Sequence, residues 1–201
     1  QGGVGNIPKS EIFGAELELS AFLSESLILD VRLAWLDTEI TADHLALDNV
    51  QSEAAGGALI GDGALLFSPE VQQARSSAVQ NVNGNELAKT PKFTSNVALN
   101  WNTDIASWGE LNSSLQYTYR GGFKHRIFNN DATDVVPSYN VIDLVVGLRP
   151  EGKDWRVELI GKNLSDEAGI NARFTDVFGV GATGDELIGP RQFMARFSMD
   201  F

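Results

Sequence analysis

The chain has 201 residues, 43% of them hydrophobic and 21% charged, which suits a single globular domain. It contains no cysteine and only two histidines, so disulfide scaffolds, thiolate metal sites and cysteine nucleophiles are excluded and no histidine-rich metal site is expected. The net charge of −12 argues against a nucleic-acid-binding surface, and no apolar run approaches the ~20 residues of a membrane-spanning helix.

Hydrophobic side chains recur at every second position along much of the chain, and this alternation predicts strands with one apolar and one polar face. The first two such segments cover residues 13–23 and 27–36, with Ser24-Glu25-Ser26 between them. Further segments follow at residues 93–102, 111–120, 139–148, 155–162 and 190–201. The sequence therefore predicts seven strands and an all-β, antiparallel fold.

The connections between these strands alternate in length. Three are short (24–26, 103–109 and 149–154), and the other three are longer (42–91, 121–138 and 163–190). Strands of about ten residues, tilted by about 45°, cross the ~25 Å apolar band of an outer membrane, and such barrels have short turns on one side and long loops on the other. The pattern favours a transmembrane antiparallel β-barrel, with the apolar faces towards lipid and the polar faces towards the lumen.

Aromatic residues concentrate towards the two ends of the predicted strands. Those near the short turns are Trp101, Trp108, Trp155 and Phe201. Those towards the long loops are Phe13, Trp35, Tyr117, Tyr119, Phe123 and Tyr139. Two aromatic rows are expected at the two interfaces of a membrane, although aromatic residues are also common in the strands of soluble sheets.

Four stretches of the sequence resemble one protein family. They are residues 14–19 (GAELEL), 31–41 (VRLAWLDTEIT), 90–94 (TPKFT), and a closing set formed by 161–167 (GKNLSDE), 189–191 (GPR) and Phe201. In their order and spacing they resemble the C-terminal part of the barrel of a TonB-dependent outer-membrane receptor.

The resemblance implies a barrel of about 22 strands that is plugged by an N-terminal domain. Seven strands cannot close such a barrel without leaving unpaired edges in lipid. We therefore expect residues 1–201 to be the C-terminal part of one barrel domain, with the plug and the earlier strands outside this chain. The implied function is active uptake of a scarce nutrient, such as siderophore-bound iron, cobalamin or a saccharide, across the Gram-negative outer membrane.

The resemblance also implies a set of partners. They are outer-membrane lipid and lipopolysaccharide, the TonB complex (through the N-terminal region), the barrel-insertion machinery and a small-molecule substrate. Phe201 resembles the terminal aromatic signal that the insertion machinery reads, and it would also suit a membrane interface. No cofactor or metal is expected, and no enzymatic activity either, because no nucleophile–base–acid set is visible.

Two other functions remain open. A passive porin or structural outer-membrane barrel would have similar strands but no plug domain, so the residues upstream of Gln1 would distinguish it from a receptor. A soluble β-rich adhesin or lectin would be extracted without detergent.

A small basic cluster lies where a predicted strand meets its outer loop. It consists of Arg120, Lys124, His125 and Arg126. These side chains are candidates for binding an anionic substrate, such as a ferric siderophore, or lipopolysaccharide phosphates. The alternative is local charge balance in an acidic protein.

The first predicted hairpin gives a specific register. If residues 24–26 close it with Leu23 opposite Leu27, then Glu18 lies opposite Arg32 on the polar face. Such a lumen ion pair is expected to be structural or to contact the plug, rather than to be catalytic.

Two loop segments have more than one interpretation. Residues 42–91 form the largest irregular segment, rich in acidic residues, and either capture substrate or act as a solvated loop. Residues 179–184 read G-x-G-x-x-G, but a dinucleotide site needs a strand before the motif and a helix after it. A flexible outer loop is the expected role of these glycines.

Overall fold

The computed structural model describes residues 6–176 and 182–200. In chain order the helices and strands are β1 (Ser10–Phe22), β2 (Leu27–Ile40), β3 (Leu45–Leu47), α1 (Asn49–Gly61), α2 (Pro69–Ser76), β4 (Val79–Asn81), β5 (Phe93–Asp104), β6 (Gly109–Arg120), β7 (Phe123–Lys124), β8 (Val135–Val136), β9 (Tyr139–Pro150), β10 (Trp155–Lys162), β11 (Ile170–Thr175), β12 (Thr183–Leu187) and β13 (Gln192–Met199).

Seven long strands form one antiparallel sheet in the order β1-β2-β5-β6-β9-β10-β13. Each strand pairs with the long strand before it in the chain, so the sheet is a meander. The seven predicted strands and the antiparallel all-β fold are confirmed. In the part of the chain that the structure describes, β1 and β13 are the sheet edges and the sheet is open.

The apolar face of the sheet is uncovered. Phe13 is 72% exposed, Phe193 75% and Leu159 59%. The fully buried aliphatic side chains instead lie at or beyond the long-loop end of the strands; they are Ile40, Val71, Val82 and Val136. The alternating pattern therefore does not serve a soluble core beneath the sheet, and the apolar face needs another apolar environment.

The 42–91 connection is ordered, which corrects the expectation of an irregular segment. It contains α1 and α2, and the short strands β3 and β4 pair with each other. The Asp48 carboxylate accepts a hydrogen bond from the Val50 backbone N–H (3.0 Å) at the start of α1. The Ser68 hydroxyl accepts one from the Val71 N–H (3.5 Å) at the start of α2. These N-caps satisfy amide groups that the first helical turn leaves unpaired, which favours helix over loop.

The other connections follow the predicted alternation of long and short. The 121–138 connection contains the β7–β8 pair, and the 163–190 connection contains the β11–β12 pair. Because the sheet is a meander, these two connections and 42–91 lie at one end, and the short turns lie at the other. Gly109, after the second short turn, has a φ of +122°, a conformation that favours glycine.

Two sequence features lie wholly or partly outside the described residues: Phe201, and residues 179–181 of the glycine motif. Among the residues that are described, no helix is both long and apolar enough to span a membrane.

Candidate functional site

The polar face of the sheet carries hydrogen bonds that run across the strands. The Asn100 amide donates to the Asp30 carboxylate (2.8 Å), and the Ser114 hydroxyl donates to the Asn100 side-chain oxygen (2.8 Å). Nearer the long loops, the Asn96 amide donates to the Thr118 hydroxyl (2.9 Å). These bonds join β2, β5 and β6 through side chains as well as through the backbone ladder.

Ion pairs continue this face towards both sheet edges. Glu18 and Arg32 are cross-strand partners, so the predicted register is confirmed, and their charged atoms are 3.6 Å apart. Both side chains are largely exposed, so the pair contributes little to stability. Its role inside a lumen stays a prediction. Similar pairs join Lys162 to Asp143 (2.8 Å) and Arg196 to Glu158 (3.2 Å).

A depression of about 470 Å³ lies on the polar face near the long loops. Its charged lining residues are Glu16, Glu18, Arg32 and Arg120. It therefore offers carboxylates and guanidinium groups on a surface that otherwise carries amides and hydroxyls.

Arg126, from the predicted basic cluster, joins two long loops. Its guanidinium lies 2.6 Å from the carboxylate of Asp48, in the longest loop, and 2.6 Å from that of Asp134. Both carboxylates are fully buried, and Arg126 is nearly so. A buried charge needs a partner, so this arrangement makes Arg126 part of the loop structure.

His125 joins the same region to the third long loop. Its ring is 4% exposed, with Nδ1 3.2 Å from the Asp134 carbonyl oxygen and Nε2 2.8 Å from the Thr175 hydroxyl. Burial lowers the pKa of the His125 ring below its usual value, and the charges of Arg126 and Arg173 act in the same direction. Hydrogen bonding to Asp134 and its negative charge oppose this shift without cancelling it. The ring is therefore held in its neutral form.

Arg120 and Lys124 complete the cluster. The Arg120 guanidinium donates to the Asn171 carbonyl oxygen (2.7 Å) and to that of Ile170, and it lies over the rings of Phe123 and Tyr139 (4.9 and 4.5 Å). The Lys124 ammonium pairs with the exposed Asp131 carboxylate. The structure thus brings the four basic residues together, each with partners inside the chain. Their part in substrate binding stays a prediction.

Two further pairs at this end were not anticipated from the sequence. The Arg173 guanidinium forms two bonds with the Asp185 carboxylate (2.6 and 2.8 Å) across the β11–β12 pair. This pair holds the pKa of the Asp185 carboxyl below its usual value. Lys92, just before β5, pairs with Glu86 (2.8 Å). Opposite charges across a hairpin are a signal that sequence reading could have used for the first pair, once the two strands were recognised.

The closing motif of the sequence forms a built corner between β10 and β13. Asn163 has a φ of +49°, and its amide donates to the carbonyl oxygens of Glu167 and Gly189 (both 2.9 Å). The Arg191 guanidinium donates to the Asp166 carboxylate (3.1 Å). The residues that carried the resemblance here are therefore the ones that fix the two ends of the last long connection.

Within residues 6–176 and 182–200, no group of three or more His, Asp or Glu side chains is placed to hold a metal ion.

Comparison with known proteins gives one family and several similar folds. The family model described as TonB dependent receptor-like, beta-barrel, matches residues 2–164. No curated protein matches the sequence. The chain is similar to the solved structure of the ferric yersiniabactin uptake receptor FyuA from Yersinia pestis, with a TM-score of 0.66 and 14% identity over 96% of this chain and 24% of that one.

Two further solved structures are similar. BauA, the ferric preacinetobactin receptor from Acinetobacter baumannii, has a TM-score of 0.59 and 18% identity over 96% of this chain and 22% of its own. Fiu, the ferric-catecholate import receptor from E. coli K12, has a TM-score of 0.59 and 15% identity over 96% and 21%. The chain therefore spans less than a quarter of each of these structures.

Proposed function

We propose, because the chain belongs to the TonB-dependent receptor β-barrel family, that it is part of a transporter that takes up a scarce nutrient across the Gram-negative outer membrane. The seven strands would be the C-terminal part of a plugged barrel of about 22 strands. Energy would come from the TonB complex through an N-terminal region.

The observation that carries this proposal is the two-faced sheet with all its long connections at one end. A row of exposed apolar side chains on one face suits lipid, and a hydrogen-bonded polar face suits a lumen. In such a barrel the long loops are on the outer side. Outer-membrane lipid, lipopolysaccharide and the barrel-insertion machinery would then be partners, with Phe201 as the predicted insertion signal.

The outer loops and the depression on the polar face would meet the substrate. The three named structural neighbours are described as receptors for ferric complexes, so a ferric siderophore is the first candidate class, ahead of cobalamin or a saccharide. Arg120 lines the depression and, of the four predicted basic residues, is the best placed to contact a substrate. Lys124, His125 and Arg126 would act by ordering the loops around it.

A passive porin is the alternative, because a polar strand face would also line a water-filled channel. Uptake in cells separates the two functions. The full-length gene is expressed in a Gram-negative host that lacks its own siderophore receptors, with TonB either intact or deleted. Accumulation of ⁵⁵Fe is measured from ferric preacinetobactin, ferric yersiniabactin and a ferric catecholate, with cobalamin and a maltooligosaccharide as labelled alternatives.

Accumulation that requires both the receptor and TonB is the expected result. Uptake that is the same with and without TonB, together with swelling of proteoliposomes in small sugars, would support the porin instead. A vector without the gene controls for background permeation.

A further inference from the structure

A small cavity of about 270 Å³ lies at the long-loop end, where β6, β7 and β11 meet the segment before β5. Three of its lining residues are cationic, namely Lys89, Arg120 and Arg173, and none is acidic. The chain as a whole has 15 basic and 27 acidic residues, so an all-cationic lining runs against its composition. We call this cavity the anion pocket and define it by these three cations with Phe123 and Asn171.

The positive charge of the anion pocket is only partly neutralised. Arg173 is paired with Asp185. Arg120 donates to backbone carbonyl groups, which carry no charge, and its buried Nε has no hydrogen-bond partner among the described residues. The Lys89 ammonium has no partner in that part of the chain either. Two of the three cations are therefore available to a ligand.

The cations of the anion pocket are held in place before any ligand binds. Arg120 lies between the rings of Phe123 and Tyr139, which restricts its guanidinium to one position. Lys89 has a φ of +63°, and its backbone N–H donates to the Lys124 carbonyl oxygen (2.7 Å). A left-handed conformation costs a lysine about 1–2 kcal/mol, so the surrounding structure imposes it. Such strain is typical of ligand sites.

We propose that the anion pocket binds a carboxylate or phosphate group of the transported substrate, an inference that rests on the proposed uptake function. Guanidinium groups match the planar or tetrahedral oxygens of such anions through paired hydrogen bonds. Whole ligands of drug size occupy about 300–1,000 Å³, so the anion pocket suits one charged group. The rest of the substrate would lie in the adjoining depression of about 470 Å³, whose lining also includes Arg120.

Lipopolysaccharide phosphates have the same chemistry, but the position of the pocket favours a soluble substrate. Arg120 pairs with Thr94 across β5 and β6 and belongs to the polar face of the sheet. Lipid would contact the opposite face.

Binding to the purified full-length receptor in detergent tests the inference without TonB. Isothermal titration with citrate and with inorganic phosphate, and with sucrose as a neutral probe, is carried out on the wild type and on Lys89→Gln and Arg120→Gln. Lys153→Gln, in a short turn at the opposite end, is the charge-matched control. We expect saturable binding of citrate or phosphate but not of sucrose, weakened at least tenfold by Lys89→Gln and by Arg120→Gln and unchanged by Lys153→Gln.

Lys89→Gln is the more direct variant, because its ammonium has no partner whose loss could disturb the fold. No anion binding, or equal binding by all three variants, would overturn the proposal. So would lipopolysaccharide that co-purifies in a Lys89-dependent amount while soluble anions do not bind. Because the titration needs no TonB, a receptor that binds anions but takes up nothing would refute the uptake function and leave the anion pocket standing.

Discussion

The guanidinium of Arg126 neutralises two carboxylates that have no access to water. Asp48 caps α1 in the longest loop, and Asp134 lies in the 121–138 connection. Removing one partner of a buried ion pair leaves an uncompensated charge. The two loops therefore depend on this side chain for their mutual packing.

We expect Arg126→Gln to destabilise the packing of these loops by about 3–5 kcal/mol, because two buried carboxylates lose their counter-charge. Lys124→Gln is the matched control, since its partner Asp131 is exposed and such pairs contribute about 0–1 kcal/mol. Hydrogen exchange of the amides of α1 and of residues 121–138, in the full-length protein, measures the difference. Similar exchange in the two variants would show that Arg126 does not hold the loops.

His125 makes the same contact region sensitive to pH. Because burial lowers the pKa of its ring in the closed loops, the open loops bind a proton more readily. The stability that the neutral ring contributes is complete above its ordinary pKa of 6.5. It falls as the pH drops below that value and levels off below the lowered pKa.

Loop opening should therefore increase between pH 7.5 and pH 5, by at most about 1.4 kcal/mol per pH unit for one proton. Protection factors from hydrogen exchange in residues 121–138, corrected for the intrinsic pH dependence of exchange, measure this effect. His125→Gln should remove most of it, and His44→Gln, at the other histidine, should not. A pH dependence that survives His125→Gln would assign it to another group.

Sequence distance decides which of these contacts could be predicted. Glu18 and Arg32 flank one tight turn, so counting residues from the turn was enough to pair them. Arg126 and Asp48 are 78 residues apart, and nothing local indicates that they meet. The basic cluster was therefore found as a cluster, but the partners that bury or neutralise its members were not.

At the level of elements, the strands were predictable because an alternating pattern is a direct consequence of strand geometry. The second strand nevertheless continues beyond residue 36 to Ile40. Thr38 and Ile40 are buried there, and the Thr38 hydroxyl accepts a hydrogen bond from the Leu87 N–H (3.1 Å). The extension depends on a loop that returns much later in the chain, so the local pattern could not set the boundary.

The two loop helices were missed for a different reason. Residues 54–58 of α1 are alanine and glycine only, and glycine disfavours helix. A Cβ at Gly56 would collide with the Arg75 side chain of α2, so glycine there allows close helix packing. The capping residue Ser68, followed by Pro69, was a readable start signal for α2.

For the whole molecule, the placement of the sheet in a bilayer follows from its two aromatic rows. Trp35 pairs with Ala15 near the long loops, and Trp101 pairs with Leu27 near a short turn. Val31 is midway between positions 27 and 35 on β2, and its partner on β1 is Leu19. Leu19 is 50% exposed on the apolar face, so it should lie close to the middle of the membrane.

Leu19→Arg should then destabilise the full-length protein in lipid vesicles by about 2–4 kcal/mol, the cost of a cation at the mid-plane of a bilayer. Ser20→Arg is the matched control: the same charge is added one residue further on, facing the lumen opposite Asp30, where we expect a change below about 1 kcal/mol. Urea unfolding in the vesicles measures both. Because neighbouring strand residues point to opposite faces, equal losses in the two variants would contradict the assignment of one face to lipid and the other to the lumen.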